Sequence, residues 1–103
     1  MASTRVCSVS DVVAGDKRCF TVGGRKVCVA RIGADWYAID DTCSHEDYSL
    51  CEGDLWADEV EIECPKHGST FSLLTGDPQT LPATQPVPVY EVVVEGDDVQ
   101  VVV

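Results

Sequence analysis

An all-β chain of many short antiparallel strands is predicted, and three observations predict it. Short apolar runs recur between glycine- and aspartate-bearing turns. Val60, Ile62 and Cys64 alternate with Glu59, Glu61 and Glu63, the period of a half-buried strand. No long amphipathic helical pattern appears anywhere along the 103 residues.

The elements follow in order. Met1 to Ser10 lacks the apolar core of a secretory signal, and only 10–14 suggests a helical turn. Cys19–Val22 and Lys26–Arg31 flank Gly23-Gly24, a two-residue connection suited to a hairpin turn of positive φ. That hairpin places Val22 opposite Arg25 and Cys19 opposite Cys28. Trp36–Asp40 and Thr70–Leu74 read as further strands, the second ending at Thr75-Gly76-Asp77-Pro78. The proline-bearing stretch 81–88 reads as an extended connector. Val89–Glu95 and Val99–Val103 then close a last hairpin around Gly96-Asp97-Asp98. There is no repeat, no low-complexity tract and no domain linker, so one domain over 1–103 is expected.

Composition narrows the class. No run approaches the roughly 18 apolar residues of a membrane span, and a cytoplasmic, monomeric protein is expected. The formal net charge is -11 and is unevenly placed. Asp35, Asp40, Asp41, Glu46, Asp47, Glu52, Asp54, Asp58, Glu59, Glu61 and Glu63 share one span that holds no Lys or Arg. Six of the seven basic residues lie at or before Arg31. Such a surface repels nucleic acid and anionic membranes. It serves solubility, or it docks a basic partner.

Chemistry concentrates in two short segments. Cys43-Ser44-His45 and Cys64-Pro65-Lys66-His67 contain both histidines of the chain, each within three residues of a cysteine. Thiolate and neutral imidazole are good ligands for iron and zinc. Pro65 stiffens the second segment, and Gly68 permits close backbone approach after it. Four readings are open on the residues: two unrelated Cys–His proximities, a structural Cys2His2 zinc site, a nucleophilic Cys64–His67 pair, and an iron–sulfur cluster. Zinc sites of this composition usually pair Cys with Cys and His with His, whereas here the order interleaves them. A nucleophilic pair leaves Cys43 and His45 unexplained.

The two segments together resemble the Rieske family, whose pattern is C-x-H, a gap of about this length, then C-x-x-H. The resemblance covers the whole chain. It implies a Rieske fold, a small antiparallel sandwich or barrel-like base carrying a cluster-binding β subdomain over approximately 41–85. It implies one [2Fe–2S] cluster, with Cys43 and Cys64 on one iron and His45 and His67 on the other.

Respiratory and photosynthetic members carry a membrane anchor and a disulfide over the cluster, at positions that hold Tyr48 and Lys66 here. Their second loop continues with a Ser and a Tyr whose hydroxyls raise the potential. This chain keeps Ser69 but has Phe71 in the tyrosine place. Oxygenase subunits carry a second domain with a mononuclear iron site, which two histidines already committed cannot supply. What remains is similar to the free-standing ferredoxins of bacterial multicomponent oxygenases. The implied function is a low-potential, one-electron carrier, not an enzyme, between a flavin-dependent ferredoxin reductase and a terminal oxygenase or other redox protein. A Rieske protein for a non-oxygenase redox system, or for iron–sulfur assembly, fits the residues too.

Other residues have plainer expectations. Cys19 and Cys28 stand where a disulfide is possible, with paired thiols favoured in a reducing compartment. Cys7 and Cys51 read as small apolar packing residues. Trp36, Trp56, Tyr37 and Tyr90 read as core or subdomain-contact residues.

Overall fold

The computed structural model describes residues 3–42, 49–65, 68–79 and 85–102. Among the described residues, nine strands form two sheets and the only helical structure is two 3-10 turns, Val9–Asp11 and Leu50–Glu52. The larger sheet contains β1 (Ser3–Ser8), β2 (Lys17–Val22), β3 (Arg25–Ile32), β4 (Asp35–Asp40), β8 (Val89–Glu95) and β9 (Asp98–Val102), in the order β1-β9-β8-β4-β3-β2. Every pairing is antiparallel. The sheet curls until its edge strands β1 and β2 meet, so the base is a nearly closed barrel. The smaller sheet is β5 (Leu55–Trp56), β6 (Glu61–Glu63) and β7 (Thr70–Ser72), and it lies between β4 and β8 in the chain.

The expected β2–β3 hairpin forms with Val22 opposite Arg25 and Cys19 opposite Cys28. Gly23 and Gly24 take φ of 57° and 79°, as a two-residue turn matching the sheet twist requires. Val27, Cys28, Val29 and Ala30 are all buried, because β3 is covered on both faces. Val27 and Val29 face the barrel interior with Val22, Ala38 and Val101. Cys28 and Ala30 face the opposite way, with Ile39, into the core shared with Leu50, Ile62 and Phe71. That second core seats the smaller sheet on the barrel.

Three features depart from the sequence expectations. β1 was not anticipated, since Ser3–Ser8 lacks strong alternation. It is held by pairing with β9, with a bulge between Arg5 and Cys7. Of the alternating stretch 59–64, only Glu61–Glu63 is strand. Val60 sits at φ 56°, unusual for a β-branched residue, and ends the turn leading into β6. Its carbonyl accepts from Leu73 N at 2.9 Å, which holds it there. Trp56 is no core residue. It lies 45% exposed on edge strand β5, its indole N–H donating to Glu63 Oε1 at 3.1 Å. The other aromatics pack as expected: Trp36 is half-buried under the Arg31 guanidinium, 5.1 Å from its ring centre. Tyr37 borders the second core and Tyr90 the barrel core.

Candidate metal centre

Of the four candidate ligands, Cys64 is described, while Cys43, His45 and His67 lie outside the described residues, as do Glu46, Asp47, Tyr48 and Lys66. What the structure fixes is the frame on which the two candidate segments are mounted.

The first frame is built on Asp41, at the end of β4. Its backbone N–H donates to Lys26 O at 2.9 Å, and its carbonyl accepts from Leu50 N at 2.6 Å. Its side chain, only 3% exposed, accepts through Oδ1 from Ser49 Oγ at 2.8 Å and from Cys51 N at 3.0 Å. A Thr42–Ser49 bridge completes the closure. One buried carboxylate therefore holds the entry and the return of the segment 43–48 together. Burying a charge is tolerable where hydrogen bonds compensate it. Asp41 is thus a structural acid and not part of the acidic surface that the sequence suggested.

The second frame is the β6–β7 hairpin, with Glu63 opposite Thr70. Cys64 N donates to Ser69 O at 2.7 Å, and Gly68 N donates to Cys64 O at 3.0 Å. Gly68 makes this return at φ 73°, a conformation costly for a side-chain-bearing residue. Ser69 is fully buried, and so is Phe71 in the core that also contains Cys64. The Cys64 thiol has 0% exposure and is not in a disulfide.

The two frames are pressed together at Gly53. A Cβ there would overlap the Glu63 carbonyl oxygen and lie 3.3 Å from Pro65 Cδ. The contact is reinforced by Glu63 N donating to Asp54 O at 2.8 Å. The return of the first segment thus lies directly against the start of the second.

The remaining cysteines do not all behave as expected. Cys7 is a buried packing residue, with burial pushing its thiol pKa up. Cys28 is disulfide-bonded, but to Cys51 and not to its cross-strand neighbour Cys19. Cys51 is therefore a covalent tie, not a packing residue. The physical reason is the Asp41 turn, which lays the 3-10 turn Leu50–Glu52 against the outer face of β3. No sequence spacing encodes that approach.

A buried, unbridged thiol directly after β6, beside a second segment whose entry and return are held together, suits a soft metal centre. A family model for the Rieske [2Fe–2S] domain matches residues 2–91, and the chain belongs to that family. Its cofactor is accordingly one [2Fe–2S] cluster. Among named proteins, the ferredoxin component of biphenyl 2,3-dioxygenase from Rhodococcus jostii (strain RHA1) is 41% identical over 101 residues, 98% of this chain and 92% of the relative. The solved ferredoxin of carbazole 1,9a-dioxygenase from Nocardioides aromaticivorans IC177 superposes with a TM-score of 0.94 at 39% identity, covering 98% of this chain and 97% of that one. In a solved complex of reduced oxygenase and oxidised ferredoxin in carbazole 1,9a-dioxygenase, one chain matches at 42% identity and a TM-score of 0.87, covering 96% and 91%. No helix among the described residues is long and apolar enough to cross a membrane.

Proposed function

We propose that this chain is a cytoplasmic ferredoxin whose cluster is held by Cys43 and Cys64 on one iron and by His45 and His67 on the other. It would carry single electrons from a flavin-dependent reductase to a terminal oxygenase. When bound, the cluster supplies a one-electron redox couple. The protein's part is to hold two loops in fixed apposition. Asp41 closes the first loop, Gly68 turns the second, and Gly53 sets their spacing. The cluster-binding unit is assigned to about 41–85, within one domain spanning 1–103.

The observation that carries the reading is the buried, unbridged Cys64 thiol on its hairpin, pressed against the closed return of the other loop. The nearly full-length likeness to dioxygenase ferredoxin components supports it and favours the cluster over structural zinc. Among the described residues, six cations lie outside the smaller sheet, on β1, β2 and β3, while Glu52, Asp54, Asp58 and Glu59 are exposed around it. An acidic partner-facing end is the natural dock for a basic redox partner.

The test is metal and sulfide analysis with reduced-state EPR. About two irons and two labile sulfides per chain are expected. His45→Ala and His67→Ala should each abolish the rhombic EPR signal. A preparation from iron-replete cells that contains zinc only would refute the assignment.

A further inference from the structure

Three cysteines distant in sequence converge on one carboxylate outside the proposed ligand set. Cys28, buried on β3, is bonded to Cys51, with Cα atoms 5.5 Å apart. Cys51 lies in the 3-10 turn through which the chain returns from 43–48. The side chains of Cys28, Cys51 and Asp41 all lie within 4.8 Å of one another. Cys19 stands directly across from Cys28 in the β2–β3 pairing, and it is exposed and free. Directly opposed residues on one sheet face bring their Cβ atoms to about 4.5–5.5 Å, close to what a disulfide needs. A free, accessible thiol therefore stands beside a disulfide whose other end fastens the first ligand loop.

We propose that Cys19, Cys28 and Cys51 form a thiol–disulfide exchange site that sets how firmly the first ligand loop is tied to the barrel. The Cys19 thiol loses its proton to solvent, and its thiolate attacks Cys28 Sγ. The Cys19–Cys28 bond forms as the Cys28–Cys51 bond breaks. The electron pair leaves on Cys51, which takes up a proton. One thiol and one disulfide exist before and after, so no oxidant or reductant is consumed. The covalent tie moves from between loop and sheet to between two strands already paired. The loop is then held at its return without a covalent tie, by the Asp41 hydrogen bonds, the Thr42–Ser49 bridge and the burial of Leu50.

The surroundings keep this exchange slow near neutrality. Although the Cys19 thiol is solvent-accessible, partial desolvation by the neighbouring chain first, and then the Asp41 carboxylate, push it above its ordinary value, while Lys26 pulls it down. The thiolate is the attacking species, so the rate should climb with pH.

The test follows both the sulfurs and the cluster in intact protein. Holoprotein is held anaerobically at pH 7 and at pH 9, alkylated while native, unfolded without reductant and mapped by peptide mass spectrometry. At pH 7 the label should sit on Cys19, beside a Cys28–Cys51 linked peptide. At pH 9 a Cys19–Cys28 linked peptide should grow in, with label on Cys51. Cys19→Ser should retain the first linkage at both pH values. Loss of visible absorbance to an iron chelator, read back at pH 7, should be several-fold faster in the exchanged protein. Cys51→Ala should release iron as fast, while Cys19→Ser pre-treated at pH 9 should stay slow. Recovery of both Cys28 and Cys51 as free thiols at pH 7 would overturn the proposal. So would exchanged protein that releases iron no faster, and this holds even if Cys51→Ala does not fold. The peptide map needs no cluster, so a colourless protein would refute the proposed function and leave the map to be judged on its own.

Discussion

Replacing Gly53 with Ala probes the junction between the two proposed ligand loops. The added methyl would overlap the Glu63 carbonyl oxygen and lie 2.7 Å from its carbon, both backbone atoms of β6 that no side-chain rotation can move. Restoring ordinary carbon–oxygen contact requires a retreat of roughly 2 Å, more than a packed core absorbs without loss. Overpacking of this kind costs about 1–3 kcal/mol. The retreat also breaks the Asp54–Glu63 backbone hydrogen bond of 2.8 Å, a further ~1 kcal/mol. Together these place Gly53→Ala about 2–4 kcal/mol below the parent, a fall in melting temperature of roughly 10–20 °C for a domain of this size. Chemical denaturation followed by far-UV circular dichroism measures the first figure, and the visible absorbance of the same samples reports cluster retention. Gly24→Ala is the control. Gly24 has φ 79° but open space around its missing side chain, so it carries only the roughly 1 kcal/mol of left-handed backbone strain. Equal losses for the two variants would refute the claim that the loops are pressed together at Gly53.

Three further outcomes are expected. The midpoint potential should lie below about 0 mV, in the lower part of the roughly −150 to +300 mV Rieske range. Phe71→Tyr, within the buried core that includes Cys64, should raise it if the hydroxyl reaches the Cys64 sulfur, as protein-film voltammetry would show. Charge reversal at Glu46 and Asp47, adjacent to His45 in sequence, should slow reductase-driven electron transfer more than reversal at the exposed Asp97 and Asp98, and the difference should shrink as salt rises. Asp40 is held above the usual carboxylate range by burial, which its Tyr90 hydrogen bond only partly offsets. Its raised pKa favours folding below the unfolded value of about 3.9, and that contribution is lost as pH rises through the folded pKa. Asp40→Asn should therefore be more stable than the parent at pH 7, with the gap closing near pH 3 in parallel denaturation curves.

Local signals were legible in the sequence wherever one segment carried the whole cause. Gly23-Gly24 between two β-patterned runs dictated the β2–β3 register to the residue, because a two-residue turn leaves no slack in the pairing. The last hairpin was located but not registered: the sequence reading put Asp98 in its turn, whereas Asp98 begins β9 and pairs with Glu95, leaving Gly96-Asp97 as the turn. The two Cys–His segments carry donor chemistry suited to a metal centre, and Cys64, the one proposed ligand among the described residues, is buried and unbridged. Other features had no local signal. Strand β1 exists because β9 offers it an edge, and Ser3–Ser8 by itself shows little alternation.

By itself, then, the sequence determined the all-β class, the β2–β3 register and the residue types able to hold a cluster, since each follows from turn geometry, side-chain period or donor chemistry within a short span. Only the tertiary structure decided what Asp41, Gly53 and Cys51 do. Asp41 looked like one acid among eleven, yet it closes the first loop because the chain beyond it folds back onto its carboxylate. Gly53 acquires its importance from a carbonyl ten residues later in the chain. Cys51 finds Cys28 across 23 residues because the turn at Asp41 lays Leu50–Glu52 against the outer face of β3. Such contacts depend on how separate segments pack, and no single segment carries that information.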